Sequence, residues 1–310
     1  MYSLIRFFSN HEHLEQFLNG DLYMNSIGHF WNLGTEPQND YTEGVGEVLS
    51  HEEFKDTYGG DLQAAFGGHI TLPLQVRIET YKYVHILCFM MHEYDIENRE
   101  VISVNPKMGD MGKYAVRITD VQSFVGILFD KLRLNSQYGL MGPMSYHKPS
   151  DKSAYRDCFD KNIKYAHEKE WRFALIPNYE MAKVLAKNDP SGTIPYDEHI
   201  IYSVGDLRAI AEEIDVETLL TNPGKLYKDD RGCFRTVNKM KVASETRKIQ
   251  LERIRRELGG IIPYQAYPWQ YIGWDSREAF RDKVIEIGGG IKPVITMGSM
   301  SNKTDEKTAN

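Results

Sequence analysis

The segment Glu168-Lys169-Glu170-Trp171-Arg172-Phe173-Ala174-Leu175-Ile176 constrains this chain most, because two carboxylates two residues apart run straight into a stretch that is apolar but for one arginine. Such a short run of large apolar residues reads as a buried strand. Side chains at i and i+2 of a strand share a face. A strand that includes Glu168 therefore projects Glu168 and Glu170 together, while Trp171 and Phe173 face the other way. Like charges side by side are unfavourable unless neighbours or a ligand offset them. Two readings follow: a solvated strand end with Lys169 as partner, or a site built on paired carboxylates. Arg172 fits either, as a salt bridge to Asp160 or Glu170 that ties the strand down or as a cation that keeps a working carboxylate ionised.

The N-terminus poses a related problem. Ser3-Leu4-Ile5-Arg6-Phe7-Phe8 reads as a short buried strand with one charge embedded in it. Burying a guanidinium without a partner is costly, so Arg6 needs an anion or acceptors: a ligand phosphate, or a structural carboxylate such as Asp40, Glu43 or Glu170. Ser9-Asn10 supply an N-cap for a helix over Glu12 to Asn19, with Leu14, Phe17 and Leu18 on one face and Gly20 as the stop. Leu22-Tyr23-Met24-Asn25 resumes as a strand, and Ser26 follows it.

Farther along, Tyr81 to Met91 alternates and then becomes continuously apolar, which marks a central strand. Tyr114 to Ile118 is a second strand, and Val121 to Leu134 a helix with Phe124, Leu128, Phe129 and Leu132 inward. Met141 to Tyr146 reads as a strand, Ala154 to His167 as a helix that delivers the chain to Glu168, and His199 to Val204 as a strand that closes the sheet. Gly59-Gly60 and Gly67-Gly68 bracket a short helix over Asp61 to Phe66. The order of elements predicts an α+β fold over residues 1–220.

The composition changes after Leu220. Lys225 to Arg256 holds eleven Lys and Arg against four Asp and Glu, a local charge of +7 in a chain whose total is −7. Val237 to Leu258 has a helical pattern and Gly259-Gly260 ends it; Pro263 to Trp274 is dense in aromatic residues and proline. A basic helix beside exposed rings suits single-stranded nucleic acid, with Arg247, Lys248, Arg253 and Arg256 as phosphate contacts. The same charges would equally dock the helix on the acidic remainder of the chain. Residues 221–290 are therefore expected to form a C-terminal helical extension, and residues 291–310 a polar, disordered tail.

A chain of 310 residues, 41% hydrophobic and 12% aromatic, is not a bulk-disordered one. Cys88, Cys158 and Cys233 are too far apart for a disulfide framework or a metal knuckle, and read as small buried side chains in a reducing compartment. The start of the sequence lacks a basic-then-apolar leader, and no apolar run approaches the roughly 18 residues of a spanning helix. The expectation is a cytoplasmic protein that avoids membranes and binds no metal. His11 and His13 diverge on a helix, and His147 shows no partner in the sequence.

Several of these segments together carry a resemblance. Arg6, Gly20-Asp21-Leu22-Tyr23, Asn39-Asp40-Tyr41-Thr42-Glu43-Gly44, Leu87-Cys88-Phe89, Gly112-Lys113-Tyr114-Ala115-Val116, Lys161 to Arg172 and Gly205-Asp206-Leu207 resemble, in order, the motifs of an uncharacterised bacterial family of domains. The likeness covers residues 1 to 220. That family is in turn similar to ADP-ribosyltransferase-type toxins that modify nucleic acid in toxin–antitoxin and anti-phage systems. The resemblance implies a split mixed or antiparallel sheet with flanking helices and NAD as substrate. It implies Arg6 at the NAD phosphate or ribose, Asn25 or Ser26 at the second strand, Glu170 as the catalytic carboxylate and Glu168 as the group that orients the acceptor. RNA or DNA and an antitoxin protein are the implied partners. An extra loop between Phe30-Trp31-Asn32 and Asn39-Asp40 departs from the family pattern and would remodel the pocket floor.

The residue types suit that chemistry. Cleavage of a nicotinamide–ribose bond builds positive charge on the ribose, which a fixed carboxylate stabilises. Tyr23, Phe30 and Trp31 could stack on the nicotinamide. Two other readings use the same residues: an NAD glycohydrolase, and a non-catalytic nucleic-acid- or partner-binding module in which Arg6 and Glu170 form a structural ion pair.

Overall fold

The structure is a computed structural model that describes residues 2–32, 45–58, 74–95, 100–148, 157–188, 198–221, 226–228, 234–236, 272–273, 277–289 and 293–296. In chain order the elements are β1 (Tyr2–Phe8), α1 (His11–Leu18), β2 (Asp21–Ser26), α2 (Ile27–Asn32), β3 (Val45–Leu49), α3 (His51–Tyr58), β4 (Leu74–Ile78), β5 (His85–Asp95), β6 (Glu100–Val101), β7 (Tyr114–Ile118), α4 (Val121–Leu134), β8 (Tyr138–Pro143), β9 (Ser145–His147), β10 (Asp160–Asn162), β11 (Glu170–Ile176), α5 (Tyr179–Asn188), β12 (His199–Ser203), β13 (Ala211–Asp215), α6 (Val216–Thr221), β14 (Leu226–Lys228), β15 (Phe234–Thr236), β16 (Ile272–Gly273), α7 (Arg277–Ile287) and β17 (Pro293–Thr296). Short 3₁₀ segments cover Glu79–Tyr83, Pro106–Met111 and Ile163–Glu168. The mixture of helices with antiparallel strands makes the fold α+β.

The main sheet runs β13-β7-β1-β5-β11-β8-β16, and every pairing in it is antiparallel. Its central feature is a split. One edge of β5 is covered without a break by β11 from His85 to Met90. The opposite edge is shared: β2 pairs Ile86 and His85, whereas β1 pairs Met90 to Glu93. Leu87 to Phe89 lie in the gap between them. β12 then adds to the outer edge of β2.

The two faces carry different cores. Trp171, Phe173 and Leu175 of β11 join Leu14, Phe17 and Leu18 of α1 and Phe124, Leu128 and Leu132 of α4 in one cluster. Ala174 and Ile176, from the alternate positions of β11, join Ile86, Leu140 and the α7 residues Phe280, Val284 and Ile287 in a second. All seven residues of β11 are buried, as its composition predicts for a strand covered on both faces. The cap of α1 matches expectation, with Asn10 accepting from the amide of His13; at the start of α4 Asp120 accepts from that of Ser123.

Three expectations need correction. No helix spans Ala154 to His167: its described part is β10 followed by the 3₁₀ segment, because Asp157 and Asp160 accept hydrogen bonds from nearby backbone amides and hold the chain out of helical geometry. The Met141–Tyr146 strand is two strands, β8 and β9. Residues beyond 220 do not stand apart, since α7 completes the second core, β16 pairs β8 and β17 pairs β4. The expected helices at 61–66 and 237–258, the aromatic stretch apart from Ile272-Gly273, and the tail after residue 296 lie outside the described residues. No helix among the described residues is long and apolar enough to cross a membrane.

Gly20 ends α1 at a φ of +89°, and a Cβ there would fall 1.8 Å from the carbonyl oxygen of Gly205. This close approach seats the β12 connection beside β2, with Val204 N donating to Gly20 O at 2.8 Å. Gly20→Ala is expected to destabilise by at least about 2 kcal/mol, combining backbone strain with a clash against main chain. Gly126, inside α4, has nothing within 4 Å of such a Cβ, so Gly126→Ala should stabilise by roughly 0.5–1 kcal/mol. Chemical denaturation of both variants checks the opposite signs.

Candidate active site

The split in the sheet opens into a cavity of about 200 Å³. Arg6 leaves β1 on the face of Leu4 and Phe8, not on that of Glu170, yet its guanidinium turns into the gap. There Nη1 donates to the carbonyl of Cys88 at 2.9 Å and Nη2 to that of Tyr23 at 3.4 Å. The rings of Phe8 and Phe89 lie 5.7 and 6.0 Å from it. Arg6 therefore does two jobs in the gap: its side chain satisfies a backbone acceptor there, and it lines the cavity. Among the described residues no carboxylate pairs with it, so the expected alternative of an Arg6–Glu170 ion pair is not what the structure shows.

Glu170 has other partners. Its Oε1 accepts from Arg172 Nε at 2.9 Å and Nη2 at 2.7 Å, and its Oε2 accepts from Lys161 Nζ at 2.9 Å. Residues 170 and 172 share a strand face, which brings the first pair together without any tertiary help. Arg172 is 1% exposed and also donates to the carbonyl of Cys158. Burial pushes the Glu170 carboxyl upward, but Arg172, Lys161 and the Cys88 thiol outweigh it and hold the pKa at about 2. Burial likewise raises the Cys88 thiol, and the Glu170 charge adds to the effect. The carboxylate is thus ionised and the thiol protonated at neutral pH.

Glu168 reaches the same cavity by another route than the strand alternation predicts. It ends the 3₁₀ segment, and Lys169 takes a left-handed turn at φ +44° before β11 begins at Glu170. Glu168 and Glu170 are therefore not neighbours on a strand face. They are joined by Lys161, whose Nζ lies 2.7 Å from Glu168 Oε2. Lys169, expected as their partner, pairs instead with Glu93.

Of the remaining sequence candidates, Tyr23, Asn25 and Phe30 line the cavity with Arg6, Glu168 and Glu170. Asn25 Oδ1 is buried with no hydrogen-bond partner among the described residues. Ser26 and Trp31 are not part of the lining: the Ser26 hydroxyl accepts from the His29 amide at the start of α2, and Trp31 packs on the second core. Asn39 to Gly44, and the basic residues Arg247, Lys248, Arg253 and Arg256, lie outside the described residues. The sequence block Lys161 to Arg172 includes Lys161 and Tyr165 but gave them no role; the Tyr165 ring lies 4.9 Å from the Lys161 Nζ. The spacing of Lys161 before two glutamates was the available signal.

A second buried ionic group abuts the first. Arg277 of α7 donates to both oxygens of Asp157 at 2.8 and 2.6 Å, to Asp160 at 2.5 Å and to the Ser145 hydroxyl at 3.1 Å. His147 completes it through Asp160 Oδ1 at 2.8 Å. Among the described residues no group of three or more His, Cys, Asp or Glu side chains is placed to hold a metal ion.

Glu170 is the counterion of the buried Arg172 and the partly buried Lys161, so Glu170→Gln is expected to cost roughly 3–5 kcal/mol and to lower the melting temperature. Because its folded pKa is depressed from 4.5 to about 2, its contribution is fully present above the unfolded value and disappears as pH falls through the folded one. The stability difference between wild type and Glu170→Gln should thus be flat above about pH 5 and shrink by roughly 3 kcal/mol below it. Denaturant unfolding from pH 7 to pH 2 measures it.

Comparison of this chain with family models, with curated proteins and with solved structures returned no match, so a functional reading rests on the geometry of the cavity itself.

Proposed function

We propose that the chain is an NAD-dependent ADP-ribosyltransferase, with the cavity at the sheet split as its NAD site. The observation that carries this reading is the charge of the lining. Arg6, Lys161 and Arg172 stand against Glu168 and Glu170, a net +1 among the described side chains, with the extra cation on Arg6 in the gap. An anionic ligand meets that excess, and a planar guanidinium with free donor capacity suits a phosphate. At about 200 Å³ the cavity is below the roughly 300–1,000 Å³ of whole-ligand pockets. It suits one end of a dinucleotide, with the rest across the rim.

In this reading the nicotinamide–ribose end enters the cavity against Tyr23 and Phe30, and Arg6 meets the diphosphate. Glu170, ionised and fixed by Arg172, faces the ribose and stabilises the positive charge that develops as the C–N bond breaks and its electron pair leaves with nicotinamide. Glu168 orients the acceptor nucleophile, whose oxygen or nitrogen bonds to the ribose carbon and loses its proton. The unpartnered Asn25 oxygen offers an acceptor to a ribose hydroxyl or carboxamide. The +7 charge over Lys225 to Arg256 supports a nucleic-acid acceptor, RNA or DNA. Such an activity fits a toxin or anti-phage effector restrained by an antitoxin protein.

One observation favours a second reading. Within the Glu170–Arg172–Lys161–Glu168 group each carboxylate already has a cation, as in a structural strap, and this favours a binding module without catalysis. Incubating the protein with labelled NAD, with and without RNA or DNA, separates the readings. The transferase should release nicotinamide and label the nucleic acid; hydrolysis alone marks a glycohydrolase, and NAD bound but uncleaved marks the module. Glu168→Gln should lower transfer by about 10-fold or more while sparing hydrolysis, and Arg6→Ala should raise the KM for NAD by a similar factor. Wild-type protein that neither binds nor cleaves NAD would end the proposal.

A further inference from the structure

We infer that Lys161 is the positioning residue of the paired carboxylates: its ammonium, shared between Glu168 and Glu170, holds both side chains on one wall of the cavity. The inference rests on the transferase reading only for its consequence on activity, because the clamp itself is geometric. Three elements meet at the Lys161 Nζ. β10 supplies the lysine, the 3₁₀ segment supplies Glu168 Oε2 at 2.7 Å and β11 supplies Glu170 Oε2 at 2.9 Å. The left-handed turn at Lys169 separates the two glutamates, so no strand register brings them together.

Lys161 also acts, after Arg172, to hold the Glu170 carboxyl in its charged form. The groups that face Glu170 are Arg172 on its own strand, the Cys88 thiol on β5, Lys161 on β10, and Tyr146 on β9, whose hydroxyl accepts the Glu170 amide at 2.7 Å. Arg172 covers Oε1 alone. Without the lysine, Oε2 keeps no cation among the described residues, and two carboxylates at 5% and 13% side-chain exposure would confront each other. One of the two must then take up a proton more readily. The Tyr165 ring beside the lysine at 4.9 Å, itself covered by Lys164 at 4.5 Å, limits where the ammonium can go.

Three variants test this: Lys161→Met removes the charge, Lys161→Gln keeps a short polar donor, and Lys161→Arg keeps a cation. With NAD as substrate, Met and Gln are expected to lower kcat by about 10-fold or more with little change in KM. They should also move the acid limb of the kcat profile up by about one pH unit, and Arg should restore both. A fall in activity with an unmoved acid limb, or a change in KM alone, would assign Lys161 to substrate binding or to structure and overturn the inference. NMR titration of glutamate carboxylates needs no substrate: in Met or Gln one of the two carboxylates should titrate about one pH unit or more higher than in wild type. If it does so while wild type cleaves no NAD, the clamp stands and the transferase reading falls. If neither carboxylate moves, the clamp falls whatever the activity. Should Met not fold, as a thermal melt would show, Gln and Arg carry the comparison.

Discussion

The cavity exists because β1 and β2 share one edge of β5 without meeting. A continuous strand on that edge would pair Leu87 to Phe89 and leave no opening. With the edge interrupted, the carbonyl of Cys88 faces the gap, and a buried carbonyl without a donor is costly. Arg6 meets that need with one arm of its guanidinium. A neutral donor could do the same for the backbone; an arginine also leaves a positive charge in the gap. The need for a hydrogen bond and the offer of a charge thus fall on one side chain.

The group on the facing strand is expensive in a complementary way. Replacing a buried ion pair by apolar side chains of similar size is often neutral or stabilising by about 1–4 kcal/mol, so Glu170, Arg172 and Lys161 are not the cheapest way to fill this space. Their arrangement has a different benefit. Arg172 reaches Glu170 by two nitrogens, Lys161 reaches it by one, and together they hold the carboxylate charged in a place where burial alone would protonate it. A charged group fixed against a cavity wall needs little reorganisation when opposite charge develops beside it, which is the condition for electrostatic catalysis.

What the sequence revealed, and what it hid, follows from the range of the interactions. α4 was legible end to end because its apolar period is local. The burial of β11 was legible from composition, and Glu170 was one of the two partners, with Asp160, that the sequence left open to Arg172. The meeting of Glu168 with Glu170 was anticipated for the wrong reason: a turn at Lys169 breaks the strand, and a lysine seven residues upstream makes the connection. β13 was missed because Glu212, Glu213 and Asp215 dilute its pattern on a sheet edge. The Ala154–His167 helix was misread because apparent helical spacing lost to Asp157 and Asp160, whose carboxylates take backbone amides. Arg6 reached the cavity from the opposite face, which strand alternation forbids and only the split permits.

The same two aspartates connect the C-terminal part of the chain to the cavity. Arg277, at the first turn of α7, is held by Asp157, Asp160 and Ser145, and so spans the parallel pair β9–β10. Asp160 is the residue before Lys161, and Tyr146 between Ser145 and His147 accepts the Glu170 amide. The wall that carries the lysine and the tyrosine is therefore fixed from behind by a helix more than a hundred residues away in sequence. Phe280, Val284 and Ile287 of that helix are buried in the second core, so the anchor cannot be released without exposing apolar surface as well as two buried carboxylates. Hydrophobic burial supplies the strength of this junction and the arginine supplies its register. The cavity and the C-terminal segment are in this sense one construction, although composition divides the chain at residue 220.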